Sequence, residues 1–184
     1  MKSFPQIHTT RLVLCPVSMD ELRALHRVWI NPDVRRYLWD DTVISEQRAA
    51  SEIEKGIASF ERYGFGLWSI FPQGQETLLG FCGLRHFGDP PEVELICALD
   101  PLYWGQGLAT EATLAVLRYG FEESCLPHIL GAADGPNEAS IRLMTRIGMT
   151  FEKRVRLLGR ELVYYKVSRE AFLLPSTPYS VQRT

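Results

Sequence analysis

Apolar residues recur along this chain with two periods, and the change between them is sharpest in its middle. Val93-Glu94-Leu95-Ile96-Cys97-Ala98-Leu99 is a short, apolar, β-leaning run. Asp100-Pro101 closes it, because the residue before a proline is pushed out of the helical region. From Gly107 to about Ser124 the spacing becomes helical. Leu108, Ala112, Ala115 and Tyr119 fall on one stripe, with Leu114, Leu117 and Phe121 beside it. Residues 128–133 are again strand-like. Strand, glycine turn, helix, strand predicts a βαβ unit with parallel strands and a right-handed crossover.

The rest of the pattern surrounds that unit. Thr10-Arg11-Leu12-Val13-Leu14-Cys15-Pro16-Val17 reads as the first strand. Ser18 with Glu21 three positions later is a capping box that opens a helix to about Trp29, and Asn31-Pro32 breaks it. Ser45 caps a second helix, with Ala49, Ile53, Ile57 and Phe60 on one face and an end near Tyr63-Gly64. Residues 67–71 and 78–84 read as a hairpin, and residues 150–158 and 160–167 as another that turns at Gly159. Between them residues 138–147 form a short helix that Gly148 terminates. Residues 168–174 read as one or two helical turns. Residues 175–184 show no periodicity and read as a C-terminal tail. These elements predict an α/β fold: one domain over residues 1–174, with about seven strands.

Composition narrows the class. The 184 residues are 46% apolar and 23% charged with a formal charge of −2, ordinary for a globular domain that binds neither nucleic acid nor an anionic membrane through bulk charge. No run approaches the roughly 20 apolar residues of a membrane span, and the N-terminus lacks the apolar core of a signal peptide. A cytoplasmic location is therefore expected. Cys15, Cys82, Cys97 and Cys125 are scattered, and neither they nor the four histidines have metal-ligand spacing.

The glycine turn carries the clearest chemistry. The first four N–H groups of a helix lack partners inside it, and the helix dipole adds positive character there. Gly105 and Gly107 let a ligand approach the backbone closely. No acidic residue occurs from residue 101 to residue 110; Glu111 is the first. The turn reads as a cradle for phosphate or diphosphate. It has no lysine for a P-loop, and Thr110 breaks the dinucleotide fingerprint G-x-G-x-x-G.

Leu99-Asp100-Pro101-Leu102-Tyr103-Trp104-Gly105-Gln106-Gly107-Leu108-Ala109-Thr110-Glu111-Ala112 resembles the acyl-CoA loop of the GNAT N-acetyltransferases. It is most similar to the RimJ/RimL-like branch, where the sequence runs LDPxYWGxGxATEA. In the general family motif [QR]-x-x-G-x-[GA], Gly107 and Ala109 fill the last two positions, and Trp104 stands where Gln or Arg is usual. Asn137-Glu138-Ala139-Ser140-Ile141-Arg142-Leu143-Met144-Thr145-Arg146-Ile147-Gly148-Met149 is similar to the family's NxxSxxLxxxxGF. The resemblance covers roughly residues 8–174. It implies a GNAT-type mixed, mostly antiparallel sheet flanked by helices, with one splayed parallel strand pair.

The resemblance also implies a reaction: transfer of an acetyl group from acetyl-CoA to a primary amine by direct attack in a ternary complex. Backbone groups of Ile96, Cys97 and Leu99 would hold the pantetheine arm. Residues Trp104, Gly105, Gln106, Gly107, Leu108, Ala109 and Thr110 would hold the diphosphate, and Asn137 would hydrogen-bond the cofactor. Glu94 is the first choice of general base and Glu161 the second. Many family members use a Tyr as general acid where this chain has Met144; Ser140 matches the donor proposed for the Rim branch. Among Arg142, Arg146, Lys153, Arg154 and Arg156, one or two would meet the 3′-phosphate. Tyr37 and Trp39 would border the acceptor, with Asp40 and Asp41 favouring a cationic one; alternatively Tyr37 and Trp39 simply pack on the core. The acceptor is a small-molecule or peptide amine: a protein N-terminus, an aminoglycoside-like antibiotic, a polyamine or an amino acid. A monomer or a homodimer is expected, with no metal. A catalytically silent acyl-CoA sensor of the same fold is the alternative, and a nucleotide-binding regulatory domain fits the turn less well.

Overall fold

The computed structural model describes residues 4–88, 91–157, 159–172 and 178–183. They form one nine-stranded sheet flanked by five α-helices. In chain order the strands are β1 (Pro5–His8), β2 (Leu12–Pro16), β3 (Leu67–Pro72), β4 (Gly80–Phe87), β5 (Glu92–Leu99), β6 (His128–Asp134), β7 (Thr150–Leu157), β8 (Arg160–Ser168) and β9 (Ser180–Arg183). Across the sheet the order is β7-β8-β6-β5-β4-β3-β2-β1-β9. Every neighbouring pair is antiparallel except β5 and β6.

Seven of these strands follow the apolar pattern; β1 and β9 are additions. The run expected from Thr10 starts two residues later. The Thr9 N–H and hydroxyl both donate to the Leu12 carbonyl, at 2.9 and 3.2 Å, and make a tight turn from β1 into β2. The C-terminal segment was expected to lack regular structure, yet β9 pairs with β1 from Pro5↔Arg183 to His8↔Ser180. Its partner is distant in sequence, so local periodicity carries no sign of it.

The helices are α1 (Leu22–Ile30), α2 (Pro32–Leu38), α3 (Glu46–Tyr63), α4 (Leu108–Glu122) and α5 (Glu138–Arg146). The Ser18–Glu21 capping box is present, with one 3₁₀ turn ahead of α1. Asn31-Pro32 ends α1 as expected but also begins α2. The Asn31 side chain accepts from the Asp33 N–H at 3.0 Å, and Pro32 takes the first helical position, where a missing N–H costs nothing. Ser45 caps α3 and Gly64, at φ +78°, ends it. Beyond β8 the Phe172 N–H returns to the Ser168 carbonyl, a single helical turn; residues 173–174 of the expected segment lie outside the described residues.

Strand alternation sorts β5 between the two faces of the sheet. Val93, Leu95 and Leu99 join the core under α4 with Leu108, Ala112 and Val116. Ile96 and Ala98 pack instead against the cluster of α1 and α3 that holds Leu25, Trp29 and Ile53. Glu94 belongs to this second set by period.

β5 and β6 meet as a parallel pair at one register point, Glu94 with Leu130. β6 continues antiparallel with β8 to Asp134↔Leu162, and β5 with β4 to Gly80↔Leu99. From residue 95 onward the β5 edge that faces β6 has no ladder partner. Unpaired strand edges present N–H and C=O groups that need a partner.

Candidate active site

The loop between β5 and α4 is open at its backbone. Gly105 and Gly107 sit at φ +74° and +76°, in the left-handed region that glycine enters freely. Gly107 is the N-cap of α4 and brings no side-chain cap. Among the described residues, no protein acceptor takes the N–H groups of residues 105–110. The loop is nevertheless fixed from below. The Arg11 guanidinium donates to the Gln106 carbonyl at 2.9 Å, the Gln106 amide to the Leu102 carbonyl at 3.2 Å, and the Trp104 indole to the Leu99 carbonyl at 2.8 Å. Leu99, expected to face the pantetheine, thus already has its carbonyl in use by Trp104.

Glu111, the acid in the first turn of α4, is neutralised. Its carboxylate accepts from Arg11 Nε at 2.6 Å, the Arg11 N–H at 2.8 Å and the Thr9 hydroxyl at 2.7 Å. Burial pulls its pKa up, but these donors outweigh burial and hold the carboxyl below its usual value. The loop is left with open N–H donors, a helix N-terminus and a guanidinium, which suits a diphosphate. Arg11 was not among the residues singled out from sequence. The spacing Thr9-x-Arg11 against Glu111 gave no signal by itself.

Glu94 lies at the other end of β5. It is 5% exposed, and its Oε2 accepts from Arg85 Nε at 2.8 Å across the β4–β5 ladder. Tyr164 of β8 is close enough that burial, and then the Glu94 charge, raise its pKa. Glu92, two residues earlier, turns to His128 at 2.5 Å and is held below its usual range by that bond.

A cavity of about 560 Å³ opens on the α1–α3 face. Trp29, Trp39, Phe81 and Ile96 line it toward the sheet; Tyr63, His86 and Arg85 line it toward the rim. Ile96 and Arg85 connect it to Glu94. Trp39 packs edge-on against Trp29 at 5.8 Å. Both indole N–H groups are buried without an acceptor among the described residues. Tyr37 reaches the Pro136 carbonyl at 3.5 Å, and so ties α2 to the turn after β6.

A family model for the acetyltransferase (GNAT) domain matches residues 11–150. The chain belongs to the GNAT acetyltransferase family. It is 27% identical over 154 residues to YoaA, an N-acetyltransferase of Bacillus subtilis, covering 83% of this chain and 87% of that one. It is 25% identical over 149 residues to the spermidine N(1)-acetyltransferase of Escherichia coli, covering 80% and 76%. Its fold is that of RimL, a ribosomal L7/L12 alpha-N-protein acetyltransferase solved with coenzyme A, with a TM-score of 0.74, 20% identity and coverage of 89% and 97%.

The remaining residues expected from the GNAT resemblance fall around the end of β6. Asn137 caps α5: its side-chain oxygen accepts from the Ser140 N–H at 3.2 Å. Ser140 is half-buried in the first turn of α5. Met144, in place of the usual GNAT tyrosine, is 4% exposed and packs on β6. A Cβ at Gly131 would come within 2.7 Å of the Met144 sulfur, so β6 needs glycine there for α5 to dock. Glu161 is paired with Arg154 at 3.3 Å, and its carbonyl accepts from the Gly135 N–H. It stands beyond the Asp134↔Leu162 pair, four residues along β6 from the Glu94↔Leu130 pair. That is on the order of 13 Å away at strand rise. Glu94 and Glu161 therefore stand at different places on the sheet.

The basic cluster also divides. Arg142 pairs with Glu138, Arg154 with Glu161, and Lys153 lies over the Tyr164 ring. Arg146 alone of these reaches the loop helix, with Nη1 at 3.5 Å from the Thr110 hydroxyl. Asp40 and Asp41, expected to attract a cation, are both engaged: Asp41 with Arg35 at 2.9 Å, and Asp40 with Arg160, which also holds Asp134 at 2.7 Å. Among the described residues no helix is long and apolar enough to cross a membrane, and no group of three or more His, Cys, Asp or Glu is placed to hold a metal ion.

Proposed function

We propose that this chain transfers an acetyl group from acetyl-CoA to a primary amine by direct attack in a ternary complex. The observation that carries the reading is the position of Glu94. It is a buried carboxylate on the cavity face, at the one register point where β5 and β6 pair, with Oε2 held by Arg85. A carboxylate so placed can accept a proton from an incoming amine, directly or through water.

The donor substrate would lie along the unpaired edge of β5. Backbone groups of Ile96 and Cys97 would pair with its extended arm as a strand does. An N–H on this edge would meet the thioester oxygen as charge develops. The N–H groups of residues 105–110 would receive the diphosphate, and Arg146 a terminal phosphate. Asn137 would offer its amide N–H to the same substrate while its oxygen caps α5. Ser140 is the candidate proton donor to the leaving thiolate. That thiolate is a tolerable leaving group unprotonated, since thiols ionise near ~8.5. Glu161 would act on the acceptor rather than on the thioester.

The second reading, a silent acyl-CoA sensor, is favoured by the Arg85–Glu94 ion pair, which engages one oxygen of the carboxylate at 2.8 Å. The test separates them in two steps. Thermal unfolding with acetyl-CoA, using ATP and NAD as controls, should rise with acetyl-CoA alone. At about 100 times Kd the gain is ~2.7 kcal/mol, or roughly 5–10 °C for a domain of this size. Thiol release on adding amines should follow. Stabilisation without thiol release from any amine would favour the sensor, and no stabilisation would overturn both.

A further inference from the structure

We infer that the acceptor is a primary amine carried on an apolar, ring-sized body, with hydrogen-bond acceptors rather than a second cationic group on that body. The inference rests on the proposed acetyl transfer and names the substrate class that the α1–α3 cavity takes.

Two features point to it. The first is the wall. Trp29, Trp39, Tyr63, Phe81, Phe87 and Ile96 line a space of about 560 Å³, within the range that holds a small organic ligand. The second is charge. The charged groups lining the cavity are Lys55, Arg62, Arg85 and Glu52. Glu52 is held by Arg48 at 2.9 Å and by Lys55 at 2.8 Å. Asp41 and Asp40, outside the cavity, pair with Arg35 and Arg160. A second ammonium would enter a region of net positive charge. The ammonium of Lys55 and the guanidinium groups of Arg62 and Arg85 only donate hydrogen bonds, so a carbonyl or ether oxygen on the ligand body complements that surface.

The reacting nitrogen would meet Glu94, reached past Ile96 and Arg85. The ring body and the amine are thereby sorted: body toward the tryptophans, amine toward β5. Bond changes are those of the proposed transfer. The amine nitrogen bonds the acetyl carbon, the carbon–sulfur bond breaks, the sulfur leaves as thiolate, and the amine proton goes to Glu94.

The experiment compares acceptors by thiol release at saturating acetyl-CoA. L-phenylalaninamide and 2-phenylethylamine represent the proposed class; spermidine and an aminoglycoside represent the polycations. At least a tenfold advantage in kcat/KM for the aromatic amines is expected. Ala58 is an exposed helical residue on the cavity rim, so Ala58→Trp fills the space with little strain on the fold. It should raise KM for the aromatic amines several-fold and leave the KM for acetyl-CoA unchanged. A preference for spermidine, an Ala58→Trp variant with unaltered amine KM, or no transfer to the aromatic amines by a chain that acetyl-CoA stabilises would each overturn the inference and leave the cofactor assignment standing. Failure of acetyl-CoA to stabilise the chain would instead overturn the proposed function.

Discussion

Arg11 on the edge of β2 and Glu111 in the first turn of α4 are a hundred positions apart in sequence and meet at 2.6 Å. The same guanidinium holds the Gln106 carbonyl. The pair therefore anchors the loop to the sheet and cancels the acid in the first turn of α4. Glu111→Gln should lower stability by about 1–2 kcal/mol at neutral pH, as charge-assisted bonds weaken to neutral ones. Because the folded carboxyl is held below its unfolded value of ~4.3, its stabilisation is complete above that value and is lost as pH falls through the folded pKa. The gap between variant and wild type in thermal unfolding should be constant above that value and narrow steadily as pH is lowered below it. A gap that does not narrow on acidification would mean that the ion pair is not its source.

Gly107 is tolerant of volume and intolerant of a side chain's backbone preference. An added Cβ would meet only an Arg11 nitrogen at 3.5 Å, but φ is +76°. Gly107→Ala should cost about 1–2 kcal/mol from the left-handed backbone alone. Gly107→Val, β-branched and facing the open N–H groups, should in addition reduce acetyl-CoA affinity at least tenfold by calorimetry. Unaltered affinity in Gly107→Val would remove the loop from the site.

Glu94→Gln keeps the shape of the side chain and removes its basicity. It should lower kcat by roughly 10²–10⁴, the usual yield of a positioned base, while acetyl-CoA affinity stays within a factor of two or so. Glu161→Gln should change KM for the amine more than kcat. If Glu161→Gln shows the larger kcat loss, the two acids exchange roles.

The β1–β9 pairing predicts a stability contribution from the last strand. Val181 pairs with Ile7 and packs on the main core, Arg118 lies over the Tyr179 ring at 4.4 Å, and Arg183 reaches Glu123 at 3.1 Å. Val181→Asp puts a charge in place of a packed apolar side chain, and should cost about 1–3 kcal/mol, measured as a fall in denaturation midpoint. An unchanged midpoint would show β9 to be an ornament of the edge.

What could be read from residues alone follows from how local each signal is. The β5–α4–β6 unit, the Ser18 and Ser45 caps and the Gly64 stop are set by neighbours within a few positions, and all stand where the pattern put them. β1 and β9 are four residues each and owe their form to one another, across nearly the whole chain. α2 was hidden by reading Asn31-Pro32 only as a stop; the same dipeptide, followed by Asp33, is also a good helix start. In the site, the loop glycines and Glu94 were legible because one turn or one strand defines them. Arg11 and Arg85 were not, since each acts through a partner that only pairing brings near. The pairing of Asp41 with Arg35 and of Asp40 with Arg160 was hidden for the same reason.

The Trp104–Leu99 bond has a spectroscopic consequence. Trp104 is 49% exposed, while Trp29 and Trp68 are 1% and 0% exposed and Trp39 is half-buried. Its indole is pinned at the mouth of the loop rather than swinging in solvent. A water-soluble collisional quencher will therefore extinguish the red-shifted emission of Trp104 before that of the other three. A diphosphate seated on the neighbouring N–H groups, as proposed, would screen it, and Trp104 would then report occupancy of the loop without a label.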